Sequence, residues 1–98
     1  MPEVKVVKIY LDEERHQVDD ILKILHDQIQ VKGVTVLRGV SGFGKKGMLK
    51  SSRILSLSLS LPLIIEFFDG AQKVKEALEV LAPLVGQDNI IHFSAEMG

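Results

Sequence analysis

"LIIEFFDGAQKVKEALEVLAPLVG", residues 63–86, changes its period partway along, and that change decides the fold. Leu63–Phe68 is apolar except for Glu66, rich in branched and aromatic side chains, and introduced by Pro62. It reads as a strand with apolar residues on both faces. Beyond it, Val74, Ala77, Leu78, Leu81 and Val85 recur at helical spacing and form one stripe. Asp69 with Gln72 three positions on fits a variant of the capping box. Pro83 is expected to end or kink this helix in its last turn, and Gly86 to stop it. Ile90–Phe93 reads as a short final strand.

Working back toward the N-terminus, the same strand–helix–strand unit recurs. Val4–Tyr10 (VKVVKIY) alternates loosely and is rich in β-branched residues, as a strand with one buried face should be. Asp12 is expected to cap a helix whose first turn carries Glu13 and Glu14. Val18, Ile21, Leu22, Leu25 and Ile29 form its apolar stripe, which predicts a helix of roughly 17 residues ending near Val31–Gly33. Val34–Val40 is the next strand. The order β-α-β, long loop, β-α-β predicts an α+β, ferredoxin-like βαββαβ sandwich: one antiparallel sheet with both helices on one face. The opposite face is then apolar and uncovered, so self-association is expected.

Ninety-eight residues make one domain, 1–98, with no second core. The absence of cysteine excludes disulfides and thiolate metal sites and fits a cytoplasmic setting. The N-terminal stretch is charged within its apolar part, and the uncharged run Ile54–Ile65 is short and broken by serines. Neither a signal peptide nor a membrane segment is expected. Charge is uneven: no acid lies between Asp27 and Glu66, while Lys32, Arg38, Lys45, Lys46, Lys50 and Arg53 make the middle basic.

"SGFGKKG", residues 41–47, lies in that basic middle. Gly42, Gly44 and Gly47 match G-x-G-x-x-G formally, but no helical stripe follows Gly47, and Glu66, 19 positions on, sits inside a strand of a different topology, so a dinucleotide fold is excluded. A Walker A motif is absent. Closely spaced glycines still let backbone N–H groups converge on an anion, with the lysines adding charge. Leu55–Pro62 ("LSLSLSLP") alternates as a half-buried strand does, and could extend the sheet or pair with a partner.

In combination, "KIYLDE", "TVLRG", "GFG", "SSR" and "LSLSLP" resemble the PII-like proteins, and most of all their uncharacterised branch, domain of unknown function 190, over about residues 4–85. The resemblance implies a homotrimer that binds a small anionic ligand, usually an adenine nucleotide, in clefts between subunits. A mobile loop, about residues 45–60 here, then reports occupancy to a transporter or enzyme partner. It places Gly42, Phe43 and Gly44 at the loop base, Lys45, Lys46 and Gly47 at the loop entrance, and Glu66 with Phe67 and Phe68 beside the cleft. Arg38 and Arg53 are added as nearby cations. No cofactor, catalysis, nucleic acid or membrane insertion is expected. The chain departs from signalling PII proteins by having lysine where a glutamine follows "GFG", no tyrosine in the loop, and only "VGQDN" before the last strand. Triphosphate recognition, 2-oxoglutarate sensing and uridylylation are therefore not carried over.

Other chemistries fare worse. His16 and His26, ten apart on a helix, point about 80° from each other, and His92 lies on a strand, so they form no metal site within one chain. Asp19, Asp20, Glu13 and Glu14 read as a solvated flank beside Arg15 and Lys23. Five aromatics and no RNP-like pattern argue against RNA recognition. Two alternatives stay open: a ligand-independent interaction module, and a metal-tolerance protein of the CutA type.

Overall fold

A computed structural model describes residues 3–12, 17–42, 50–51 and 62–98. Strand β1 spans Glu3–Asp12, β2 Gly33–Arg38, β5 Pro62–Asp69 and β6 Ile90–Glu96. They form one antiparallel sheet in the order β2-β5-β1-β6, the ferredoxin-like arrangement. A separate two-stranded ribbon joins β3 (Ser41–Gly42) to β4 (Lys50–Ser51).

Register sorts every residue of the sheet to a face. Val7, Ile9 and Leu11 stand opposite Phe67, Ile65 and Leu63, and these six are buried. Helix α2 (Ala71–Val85) lays Val74, Ala77, Leu81 and Val85 onto them, as its stripe predicted. The first helix contributes Ile21, Leu25 and Ile29 to the same core. Leu63–Phe68 serves both faces, because Ile64, Glu66 and Phe68 point the other way.

The helix ends depart from expectation. Asp12 is the last residue of β1, paired with Pro62, and not a cap; α1 starts at Val18 after Gln17, while residues 13–16 lie outside those described. The helix is α only over Val18–Lys23 and continues as a π-helix over Ile24–Ile29, closed by Gln30 in the left-handed region at φ 63°. A spacing of four overshoots an α-turn by about 40°, so Ile21, Leu25 and Ile29 would drift off the sheet in a longer α-helix. The wider π-turns bring the stripe back. Asp69 is likewise not a cap: the cap residue of α2 is Gly70, and Asp69 ends β5 as a buried carboxylate. Pro83 does not end the last turn, which runs on to Val85 and stops at Gly86 with φ 88°. Proline, having no N–H, contributes no helical hydrogen bond of its own there.

Gly39 joins β2 to the ribbon and donates its N–H to the Pro62 carbonyl at 2.8 Å. A Cβ at this position would stand 2.7 Å from Pro62 Cγ, a rigid ring atom. Gly39→Ala is therefore expected to cost about 1–3 kcal/mol, read as a lower urea midpoint at unchanged slope. An unchanged midpoint would show that the two strands part at little cost.

Candidate functional site

Three of the nine expected ligand residues lie among those described. Arg38 is exposed at the end of β2, opposite Leu63 and so on the helix-side face. Gly42 lies in β3, its backbone opposite Lys50. Glu66 is on the other sheet face, opposite Lys8 of β1 and Thr35 of β2. Arg38 and Glu66 are thus not brought together. Phe43, Gly44, Lys45, Lys46, Gly47 and Arg53 lie outside the described residues, as does Leu55–Leu61 of the leucine–serine run. Phe67, expected beside the cleft, is a core residue at 0% exposure.

The ribbon brackets the glycine-rich stretch. The chain leaves at Gly42 and has returned antiparallel by Lys50, three positions past the last glycine of the motif. Dinucleotide and P-loop sites need a helix there, whose N-terminus faces the phosphate. A β-ribbon supplies none, which agrees with their exclusion from sequence.

Among the described residues, two grooves flank the helix layer. One, of 430 Å³, runs between α2 and β6 and is mostly apolar, with Lys5, Lys75, Glu79 and His92 at its rim. The other, of 520 Å³, lies between the first helix and β2, lined by Leu22, Val31 and Val34 with Lys23, His26 and Asp27. His26 Nδ1 lies 2.7 Å from Asp27 Oδ1, both largely exposed. Among the described residues no three His, Cys, Asp or Glu side chains converge as metal ligands. Among them, too, no helix is long and apolar enough to cross a membrane.

The sheet face away from the helices carries exposed apolar side chains in ordered rows. Leu37, Ile64 and Tyr10 form one row across β2, β5 and β1. Thr35, Glu66, Lys8 and Ile91 form the next, and Gly33, Phe68, Val6 and Phe93 the third. Leu37 is 45% and Ile91 52% exposed, with Tyr10 and Phe93 close behind. Contiguous apolar area of this kind marks an interaction surface. Lys8 Nζ and Glu66 Oε1 are 3.7 Å apart at its centre, each side chain 35% exposed.

Asp69 ties two distant segments together. The Asp69 carboxylate accepts the Lys32 N–H at 2.9 Å and the Gly70 N–H at 2.7 Å, tying the start of β2 to the start of α2. Its position at the strand end before Gly70 was the available signal; the Lys32 partner, 37 positions away, was not legible.

A UPF0166 protein of Methanocaldococcus jannaschii is 31% identical over 96 residues, covering 93% of this chain and 87% of that protein. One of Aquifex aeolicus is 35% identical over 74 residues, covering 76% and 75%. In fold, the chain is similar to CPII, a nitrogen regulatory PII-like protein from Thiomonas intermedia K12, in a structure with ADP, AMP and bicarbonate bound. The TM-score is 0.76 at 19% identity, over 99% of this chain and 90% of that one. The divalent ion tolerance protein CutA1 from Ehrlichia chaffeensis shares the fold more distantly, with a TM-score of 0.60 at 9% identity over 99% and 83%. The family model for domain of unknown function 190, described as "Uncharacterized ACR", matches residues 4–97. With the strand order, apolar open face and sequence blocks set out above, the chain belongs to this domain of unknown function 190 family, with a PII-like fold.

Proposed function

We propose that this protein is a PII-like regulator that binds an adenine nucleotide at clefts between copies of itself and reports it to a transporter or enzyme through the segment of residues 45–60. The observation that carries the reading is the likeness of fold, over 99% of the chain, to a PII-like protein holding ADP, AMP and bicarbonate. The apolar open face supports the assembly, taken here as a homotrimer. In this reading Gly42 and Gly44 offer backbone donors, Phe43 belongs to the loop base and Gly47 to the loop entrance, and Lys45, Lys46 and Arg53 offset phosphate charge. Arg38, exposed where β2 ends, stands on the approach to the ribbon. Glu66, an anion on the open face beside Lys8, belongs in this reading to the assembly surface. The ligand is bound and released unchanged, without a cofactor.

Thermal unfolding against AMP, ADP, ATP, cyclic nucleotides, bicarbonate and simple anions tests this. A ligand at a hundredfold excess over its dissociation constant stabilises by about 2.7 kcal/mol, which for a chain of this size raises Tm by about 10 °C. Lys45→Ala with Lys46→Ala is expected to abolish most of that rise while the assembly keeps its size. A flat panel would instead favour a ligand-independent interaction module. The CutA1 likeness favours a second reading, metal tolerance; a Tm rise with divalent copper and none with nucleotides would select it.

A further inference from the structure

The middle row of the open face differs from the rows on either side. Leu37–Ile64–Tyr10 and Gly33–Phe68–Val6–Phe93 carry no charge, whereas the row between them places Glu66 against Lys8 on the two central strands. At 3.7 Å the pair is in ionic contact but beyond hydrogen-bond distance. An ammonium has three donors and a carboxylate about four acceptor sites, so both groups keep capacity that water satisfies at 35% exposure.

Covering this face changes the balance. An apolar partner would strip water from both charges and return nothing, a penalty that their loose mutual contact does not offset. Whatever covers the face must bring a cation and an anion to its centre. A second copy of this chain does so, because each copy carries both side by side and the row is complementary to itself.

We propose that Lys8 and Glu66 are the specificity-determining residues of the contact between copies. Lys8 of one copy donates to Glu66 of the next, and this exchange sets how many copies join and in what register. The apolar rows supply affinity without direction, since hydrophobic burial is non-directional. The polar row supplies the direction, as a buried polar position does in a coiled coil. This inference rests on the assembly half of the reading above and is independent of the ligand.

The test compares the full chain with Lys8→Glu, Glu66→Lys, the double exchange, and Lys8→Met with Glu66→Met, by native mass spectrometry and sedimentation over a range of concentrations. Far-UV circular dichroism establishes that each variant is folded. The unaltered chain is expected to form one assembly. Each single reversal puts like charges at the centre and is expected to weaken association about a hundredfold or more. The double exchange restores a single size, and the double methionine variant associates into several sizes. Single reversals that assemble like the parent, or a folded double exchange as dispersed as the single variants, would overturn the proposal. So would a double methionine variant of one unaltered size. A parent chain that stays monomeric would overturn the assembly reading itself, a result distinct from an intact assembly indifferent to these residues.

Discussion

Phe67→Ala is expected to lower the free energy of unfolding by about 3–5 kcal/mol, the usual cost of deleting a buried aromatic ring. The side chain is fully buried in β5, opposite Val7 on one side and Val34 on the other, beneath both helices. No described helix can move onto the sheet to fill the space without losing its own stripe contacts, so the cavity term should be near the upper end. Domains of this size hold only about 5–15 kcal/mol in total, so the variant should be close to unfolding at room temperature. Equilibrium urea unfolding at one fixed protein concentration measures the loss, since association adds to apparent stability. Phe68→Ala is the matched control. That ring lies on the open face opposite Val6, is only partly buried, and should cost less in chain stability while weakening assembly. A larger loss of chain stability from Phe68→Ala than from Phe67→Ala would reverse the assignment of faces.

Asp69→Ala is expected to cost about 2–4 kcal/mol. One carboxylate takes two backbone N–H groups that no other described partner takes up, at 2.7 Å and 2.9 Å, in a site that leaves Asp69 buried. Hydrogen bonds to a charged group contribute about 1.5–3 kcal/mol each, and the donors left behind carry a desolvation penalty of their own. Asp69→Asn should fall between the two, because the amide keeps one acceptor and turns a donor toward the other N–H. Amide hydrogen exchange separates this from a general loss of packing. The Lys32 and Gly70 amides should exchange faster in the alanine variant, relative to core amides such as that of Ile65. Uniform acceleration across the sheet would mean that the carboxylate supports the fold only diffusely.

Phe67 sits in a run that is apolar on both faces, so the run itself does not say which face it serves; the register of β5 on β1 and β2 does. Asp69 reads as a local cap because aspartate before a helix usually is one, and the chain between it and Lys32 gives no sign that the two meet. The candidate ligand residues divide similarly. Glycines and lysines in a basic segment are recognisable by type, but Arg38 and Glu66, both plausible by type and proximity, are sent to opposite faces by the register of β2 on β5.

Strands, helix stripes, the stop at Gly86 and the ferredoxin-like order were determined by the sequence itself. Each depends on the direction of a residue's own Cβ relative to near neighbours, and a period of two or 3.6 states that direction directly. Tertiary structure alone decided that Ile24–Ile29 widens to a π-helix, that Asp69 reaches Lys32, and that Lys8 meets Glu66 within an apolar face. These follow from the alignment of segments far apart in the chain. That alignment is settled by the summed packing of the whole core, and no single stretch of sequence records it.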